Sequence, residues 1–276
     1  GGVPEKMLPG QPVLVGTRLG QDFEGVIGIK SHHATSPNEK YIVNSYKDLY
    51  VDLGYGSKNA VNALGIDIGS PIVYKPSAEI FATDKICGTS VDDRAGCAVL
   101  LELIRQIKNG DNGGDVHIVF TVQEEFNLRG VLPAAQQIQP DIALQIDLIL
   151  ASDTPDMKDF GEVKLGDGPA LSMFSFHGRG TLNGVIPHPE LVTYIEKTAA
   201  QQAITLQKSA HIGALTDLSY VQLVNEGVVC ADLGFPMRYS HSSREMCDIN
   251  DLVGLTQLLV SLVKNFPASF QLNREV

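Results

Sequence analysis

The sequence contains no tryptophan, only four cysteines among 276 residues, and 7% aromatic side chains. Cys87, Cys97, Cys230 and Cys247 show neither CxxC spacing nor the density of a small disulfide-stapled scaffold, so reduced thiols in a cytoplasmic protein are expected. Basic residues are scarce as well. Twenty-one lysines and arginines stand against 32 aspartates and glutamates, for a net charge of −11. Nucleic acid and anionic membrane are therefore not expected as main partners, because both require basic surface. No run of residues approaches the roughly 18 consecutive apolar positions that span a bilayer, and there are no internal repeats. What is present is 43% hydrophobic residues, over a length sufficient for one large or two smaller domains with a proper core.

The first 80 residues and the remainder have different patterns. Pro12–Thr17, Gly25–Lys30, Asp48–Leu53 and Pro71–Tyr74 read as short strands punctuated by glycine and proline, with a helix-like piece at Ser57–Leu64. Such spacing predicts a small β-barrel or sandwich over 1–80. Beyond it, Cys97, Leu100, Leu101, Ile104 and Ile107 recur at helical spacing up to a stop at Asn109-Gly110. A strand is predicted over Asp115–Val122, a helix over Asn127–Gln137 and a strand over Ile142–Ala151. Helices over Pro189–Ala203 and Thr216–Asn225, the strand Val228–Leu233 and a helix over Asn250–Asn265 complete the series. The expected class for 81–276 is α/β, with a mixed, mostly parallel sheet flanked by helices.

Acidic residues cluster where such a sheet gathers ligands, beyond the strand ends. Glu124-Glu125 directly follows the apolar run Val116–Phe120; charge at the end of a core strand is costly unless paired, protonated or bound to a metal. Asp92-Asp93-Arg94 lies at a helix entrance, where backbone N–H groups favour an anion. Asp147 sits among Leu144, Ile146, Leu148, Ile149 and Leu150, with Asp153 just beyond, and His241 lies in the polar loop after Val228–Leu233. Carboxylates with a histidine suit Zn²⁺ or a neighbouring first-row metal. Singly, each has a plain alternative: a solvated strand end, a helix cap at Asp92, a salt-bridged core acid at Asp147, a loop histidine at His241. Their conjunction points to a metal site.

Val91-Asp92-Asp93-Arg94-Ala95-Gly96-Cys97, Gln123-Glu124-Glu125, Ile146-Asp147-Leu148 and Arg238-Tyr239-Ser240-His241-Ser242 resemble, in order and spacing, motifs of the tetrahedral aminopeptidases. These are dinuclear metallopeptidases that include the glutamyl aminopeptidases and Frv-type proteins. Gly25-Val26-Ile27-Gly28 with Ser31-His32-His33, and Asp48–Gly54, resemble the β-domain inserted into that family's catalytic domain; Leu215-Thr216-Asp217 is similar to another of its elements. The resemblance implies that Asp92 bridges two divalent ions (zinc, cobalt or manganese), that Glu125 and His241 complete one site, and that Asp147 serves the other. It implies Glu124 as general base, a supporting role for Asp93, and pairing of Arg94 with these acids. Peptide substrates and self-association through the β-domain, in the family often into a dodecamer, follow on the same terms.

The family's remaining ligand, a histidine of a His-x-Asp motif, is expected some twenty residues before Gly1, so the sequence as given furnishes one complete site and one incomplete one. His211 is the strongest substitute among the histidines present. Two other readings stand beside the metallopeptidase: a non-catalytic assembly protein on the same fold, and a two-carboxylate glycosidase. The latter leaves Asp147 and His241 without a role.

Overall fold

The computed structural model describes residues 2–107, 113–177 and 184–273. Two sheets organise them. The smaller contains β1 (Pro12–Gly16), β2 (Asp22–Ile27), β3 (Val51–Asp52) and β4 (Ile72–Tyr74) in the order β3-β2-β1-β4, with α1 (Lys58–Ala63) between β3 and β4. Period-two alternation places Val13 and Val15 inward on β1. The β1–β2 turn closes when Gly20 adopts a left-handed φ of 77° and donates to Thr17 O. Ser57 caps α1 by accepting the Ala60 N–H, which is why that helix starts where its sequence predicts.

The expected barrel is not closed among the described residues; this sheet is open. The strand predicted at Asp48–Leu53 is reduced to two residues. Tyr46–Asp48 turns into a 3₁₀ helix instead, with Ser45 accepting the Lys47 N–H. That leaves too short a ladder at the β3 edge to wrap back onto β4.

The larger sheet comprises β5 (Ala78–Phe81), β6 (Lys85–Gly88), β7 (Ile142–Leu150), β8 (Ala170–Phe176), β9 (Gly184–Val185), β10 (Gln207–Ile212), β11 (Val229–Arg238) and β12 (Glu245–Asp248). Its order is β10-β8-β11-β12-β6-β5, with β7 against β11 and β9 against β8. The helices are α2 (Val91–Gln106), α3 (Val131–Ile138), α4 (Pro189–Gln201), α5 (Leu218–Val221) and α6 (Ile249–Lys264). The architecture is α/β and mixed, but not mostly parallel. Only β10–β8 and β11–β7 run parallel among the described pairs; the others are antiparallel. The short links β5–β6 and β11–β12 cannot make a crossover, so they reverse the chain.

β11 is the spine. Val229, Ala231, Leu233, Phe235 and Met237 point into the core cluster shared with α2, α4 and α6, while Cys230 points into the cluster of α3 and α5. Helices therefore cover both faces, which explains why β11 is apolar along most of its length, with Asp232 the interruption. Burying each large side chain here stabilises the fold by roughly 1.5–3 kcal/mol.

Several expected elements differ. The strand predicted over Asp115–Val122 makes no ladder with any described strand, and the outer edge of β7 is likewise unpaired among the described residues. Ile118 packs on the core, but Val116, Val119, Phe120 and Val122 are exposed. An apolar pattern cannot form a strand without a partner edge at the right register. α3 begins later than predicted because Asn127 and Leu128 take left-handed φ values of 71° and 58°, which no helix tolerates. α5 is a single α-helical turn, beyond which only tighter i→i+3 hydrogen bonds continue, as far as Val224. The stop at Asn109-Gly110 lies outside the described residues. α2, α4 and α6 otherwise stand where predicted, and β11 runs five residues beyond its predicted end, to Arg238.

Candidate metal centre

Three segments bring ligand-type side chains to one place. Asp92 lies at the start of α2, where Ser90 has a φ of 52°, Asp92 and Asp93 depart from helical φ/ψ and the peptide between them is cis. Asp93 then caps the regular helix by accepting the Gly96 N–H at 3.0 Å; a Cβ on Gly96 would strike that same carboxylate. Glu125 lies in the turn after the Asp115–Val122 stretch, and His241 in the β11–β12 connection at a φ of 60°. His241 Nε2 stands 3.3 Å from Asp92 Oδ2 and 3.7 Å from Glu125 Oε2. One ligand atom from each of the three lies within 4.8 Å of the others. Two carboxylates and an imidazole at such separations fit a single divalent first-row cation.

Asp147 stands on β7 opposite Gly234 of β11, where a Cβ on residue 234 would meet Asp147 O at 2.1 Å. Only glycine allows the two strands to approach so closely. Asp147 Oδ1 accepts the Leu148 N–H at 2.6 Å, and the residue is outside the three-residue cluster. Three of the four expected ligands are thus brought together, and the fourth is nearby by charge alone: burial, then Asp93, Asp92 and Glu124, push the Asp147 carboxyl well above the usual range.

The rest of the pocket carries the same signature. Burial raises Glu124 to about 7, helped by Asp217, Glu125 and Asp92. Burial raises Asp93 to about 8, with Asp92, Glu124 and Glu125 adding to it against the Gly96 bond. Contact with Asp92 raises His241, with Glu125 contributing. Crowded, partly desolvated carboxylates favour protons or cations, and a divalent ion would relieve the repulsion most directly.

Arg94 is exposed and pairs with none of these acids among the described residues. His211 lies on β10 in register with Ser175 of β8, outside the cluster, so it does not replace the missing histidine here. Asp153 turns away to Arg238. Asp217 accepts the Thr121 hydroxyl at 2.7 Å, placing the Leu215-Thr216-Asp217 element beside the segment that carries Glu124. Sequence reasoning missed Glu245. This buried residue accepts the Asp92 N–H at Oε2 (3.0 Å) and the His241 N–H at Oε1 (2.7 Å). Its place four residues after His241 was the only signal. A cavity of about 400 Å³ opens onto the cluster, walled on its far side by Val3, Leu8, Ile72 and Tyr74 of the small-sheet region.

A family model described as M42 glutamyl aminopeptidase matches residues 1–258. The Escherichia coli (strain K12) protein SgcX, a candidate aminopeptidase, is 36% identical over 246 residues, covering 89% of this chain and 66% of SgcX. Among solved structures, the aminopeptidase APDkam598 from the archaeon Desulfurococcus kamchatkensis superposes with a TM-score of 0.88 at 33% identity, covering 96% of this chain and 71% of that one. The Pyrococcus horikoshii TET1 peptidase, which can assemble into a tetrahedron or a large octahedral shell, gives 0.82 at 28% identity, covering 95% and 74%. The chain spans roughly two thirds of the length of SgcX.

Proposed function

The chain belongs to the M42 glutamyl aminopeptidase family, and from that premise we propose that it carries the catalytic centre of a metal-dependent aminopeptidase that removes N-terminal residues from peptides. The observation that carries this reading is the convergence of Asp92, Glu125 and His241 from three distant segments. These three would hold one divalent ion. Asp92 and Asp147 would contribute to a second. Zinc, cobalt and manganese all suit carboxylate and imidazole donors. A cation so held supplies Lewis-acid polarisation of the scissile carbonyl and a lowered water pKa.

Glu124 is the general base. Its carboxylate, adjacent to the ligands but not among the clustered three, takes a proton from the attacking water and delivers it to the leaving amine nitrogen. Glu125 has a different task from its neighbour: it ligates. Asp93 supports Asp92 by capping the helix that presents it.

We divide the chain into an assembly region (1–80), which holds the small sheet, and a catalytic region (81–276), which holds the large sheet except for the start of β5 (Ala78–Phe81). Self-association through the first region is the counterpart of the shells formed by the P. horikoshii peptidase. No disulfide joins Cys87, Cys97, Cys230 and Cys247 among the described residues. A panel of aminoacyl chromogenic substrates, assayed with and without chelator, tests the reading. Chelator-sensitive release is expected; chelator-resistant release would overturn it.

A further inference from the structure

Asp92 and His241 come from opposite ends of the large-sheet region, and each lies in or beside backbone of left-handed φ. His241 and Tyr239 have left-handed φ values of 60° and 62°, and Ser90 has 52°. Such conformations persist only where surrounding groups fix them. One side chain reaches both segments. Glu245, at the first position of β12, has 3% of its surface exposed, and its two oxygens accept the backbone N–H groups of Asp92 and His241. Its own backbone is fixed in turn by the ladder pairing Glu245 with Gly88 of β6.

We infer that Glu245 is a positioning residue that sets the spacing between Asp92 and His241, through one carboxylate shared by the two ligand backbones. A carboxylate is suited to this because it is acceptor-only and offers two oxygens side by side, each able to take one N–H. A glutamine offers one oxygen and one donor, so one of the two amides must lose its partner and face an amino group. Partners of this kind, which touch the ligand and not the metal, typically change metal affinity ten- to a hundredfold when removed.

This inference rests on the reading of Asp92 and His241 as metal ligands, and a Co²⁺ titration separates the two. The full chain, Glu245→Gln and Glu245→Ala are titrated in competition with a chelating indicator, and the visible absorption of bound Co²⁺ is recorded. Asp251→Asn is the control. Asp251 is equally buried, and its two oxygens accept the Gly166 and Gly168 N–H groups at 2.8 Å, in a loop that supplies none of the clustered ligands. The expected result is a roughly tenfold weaker Co²⁺ affinity for Glu245→Gln, a larger loss for Glu245→Ala, and an altered absorption band in both. Asp251→Asn should lower the melting temperature while leaving affinity and band unchanged. If Glu245→Ala does not fold, the nearly isosteric Glu245→Gln decides. Unchanged affinity and spectrum in folded Glu245 variants, with only a lower melting temperature, would overturn the positioning role alone. Absence of Co²⁺ binding by the parent chain would overturn the metal reading and this role with it.

Discussion

Arg238 holds both oxygens of Asp153, with Nε donating to Oδ1 at 2.7 Å and Nη2 to Oδ2 at 2.6 Å. Asp153 also accepts the Leu165 N–H at 3.1 Å. The last residue of β11, three positions before His241, is therefore clamped to the chain that leaves β7. Both side chains are only partly exposed, so truncating one strands the other. Arg238→Ala should cost about 2–3 kcal/mol in urea unfolding, below the full figure for a wholly buried pair. The double variant with Asp153→Ala should recover part of that loss; strictly additive effects would show that the pair is not coupled.

Glu124→Gln keeps the side chain's size but removes its ability to accept a proton. In the full chain kcat should fall about 10²- to 10⁴-fold, with Co²⁺ affinity retained. Turnover close to the parent's would remove Glu124 from the chemistry.

The three-residue cluster predicts one tightly bound divalent ion per chain, measured by elemental analysis after dialysis. His241→Ala should lose it. A second ion retained with comparable affinity would mean that Asp147 finds a further ligand within the given sequence.

Asp232 provides a pH test away from the site. Burial pushes its carboxyl from 3.8 up to about 6, against the Thr216 hydroxyl bond that lowers it. The folded state thus binds the proton more tightly than the unfolded one. The associated stability is fully present below about pH 4 and is lost as pH rises through about 6, by at most about 3 kcal/mol. Asp232→Asn carries no such titration. Its stability relative to the parent should improve between pH 4.5 and 7 in urea unfolding, and parallel pH profiles for the two would contradict the assignment.

Much of this arrangement was legible in the sequence, for identifiable reasons. α2, α4 and α6 announce themselves through helical periodicity, and β7 through its apolar run. β10, with Gln207, Lys208 and His211, and β12, with Glu245 and Asp248, escape notice because polar residues occupy strands whose neighbours alone decide burial. Asp115–Val122 fails in the opposite sense: its composition is right for a strand, but it makes no ladder with any described strand. The proposed ligand residues were legible through motif and order. Glu245 was not, since its role depends on two amides brought to it by the fold.

The β7 edge, unpaired among the described residues, and the exposed Phe120, Val122 and Phe126 have a practical consequence. A nine-residue strand with one edge unpaired among the described residues, in a chain that also exposes apolar side chains, is a template for adding strands from other molecules. Concentrated solutions of this 276-residue chain should therefore turn cloudy on warming before the sheets melt, and keeping it dispersed will be a matter of dilution and cold as much as of folding.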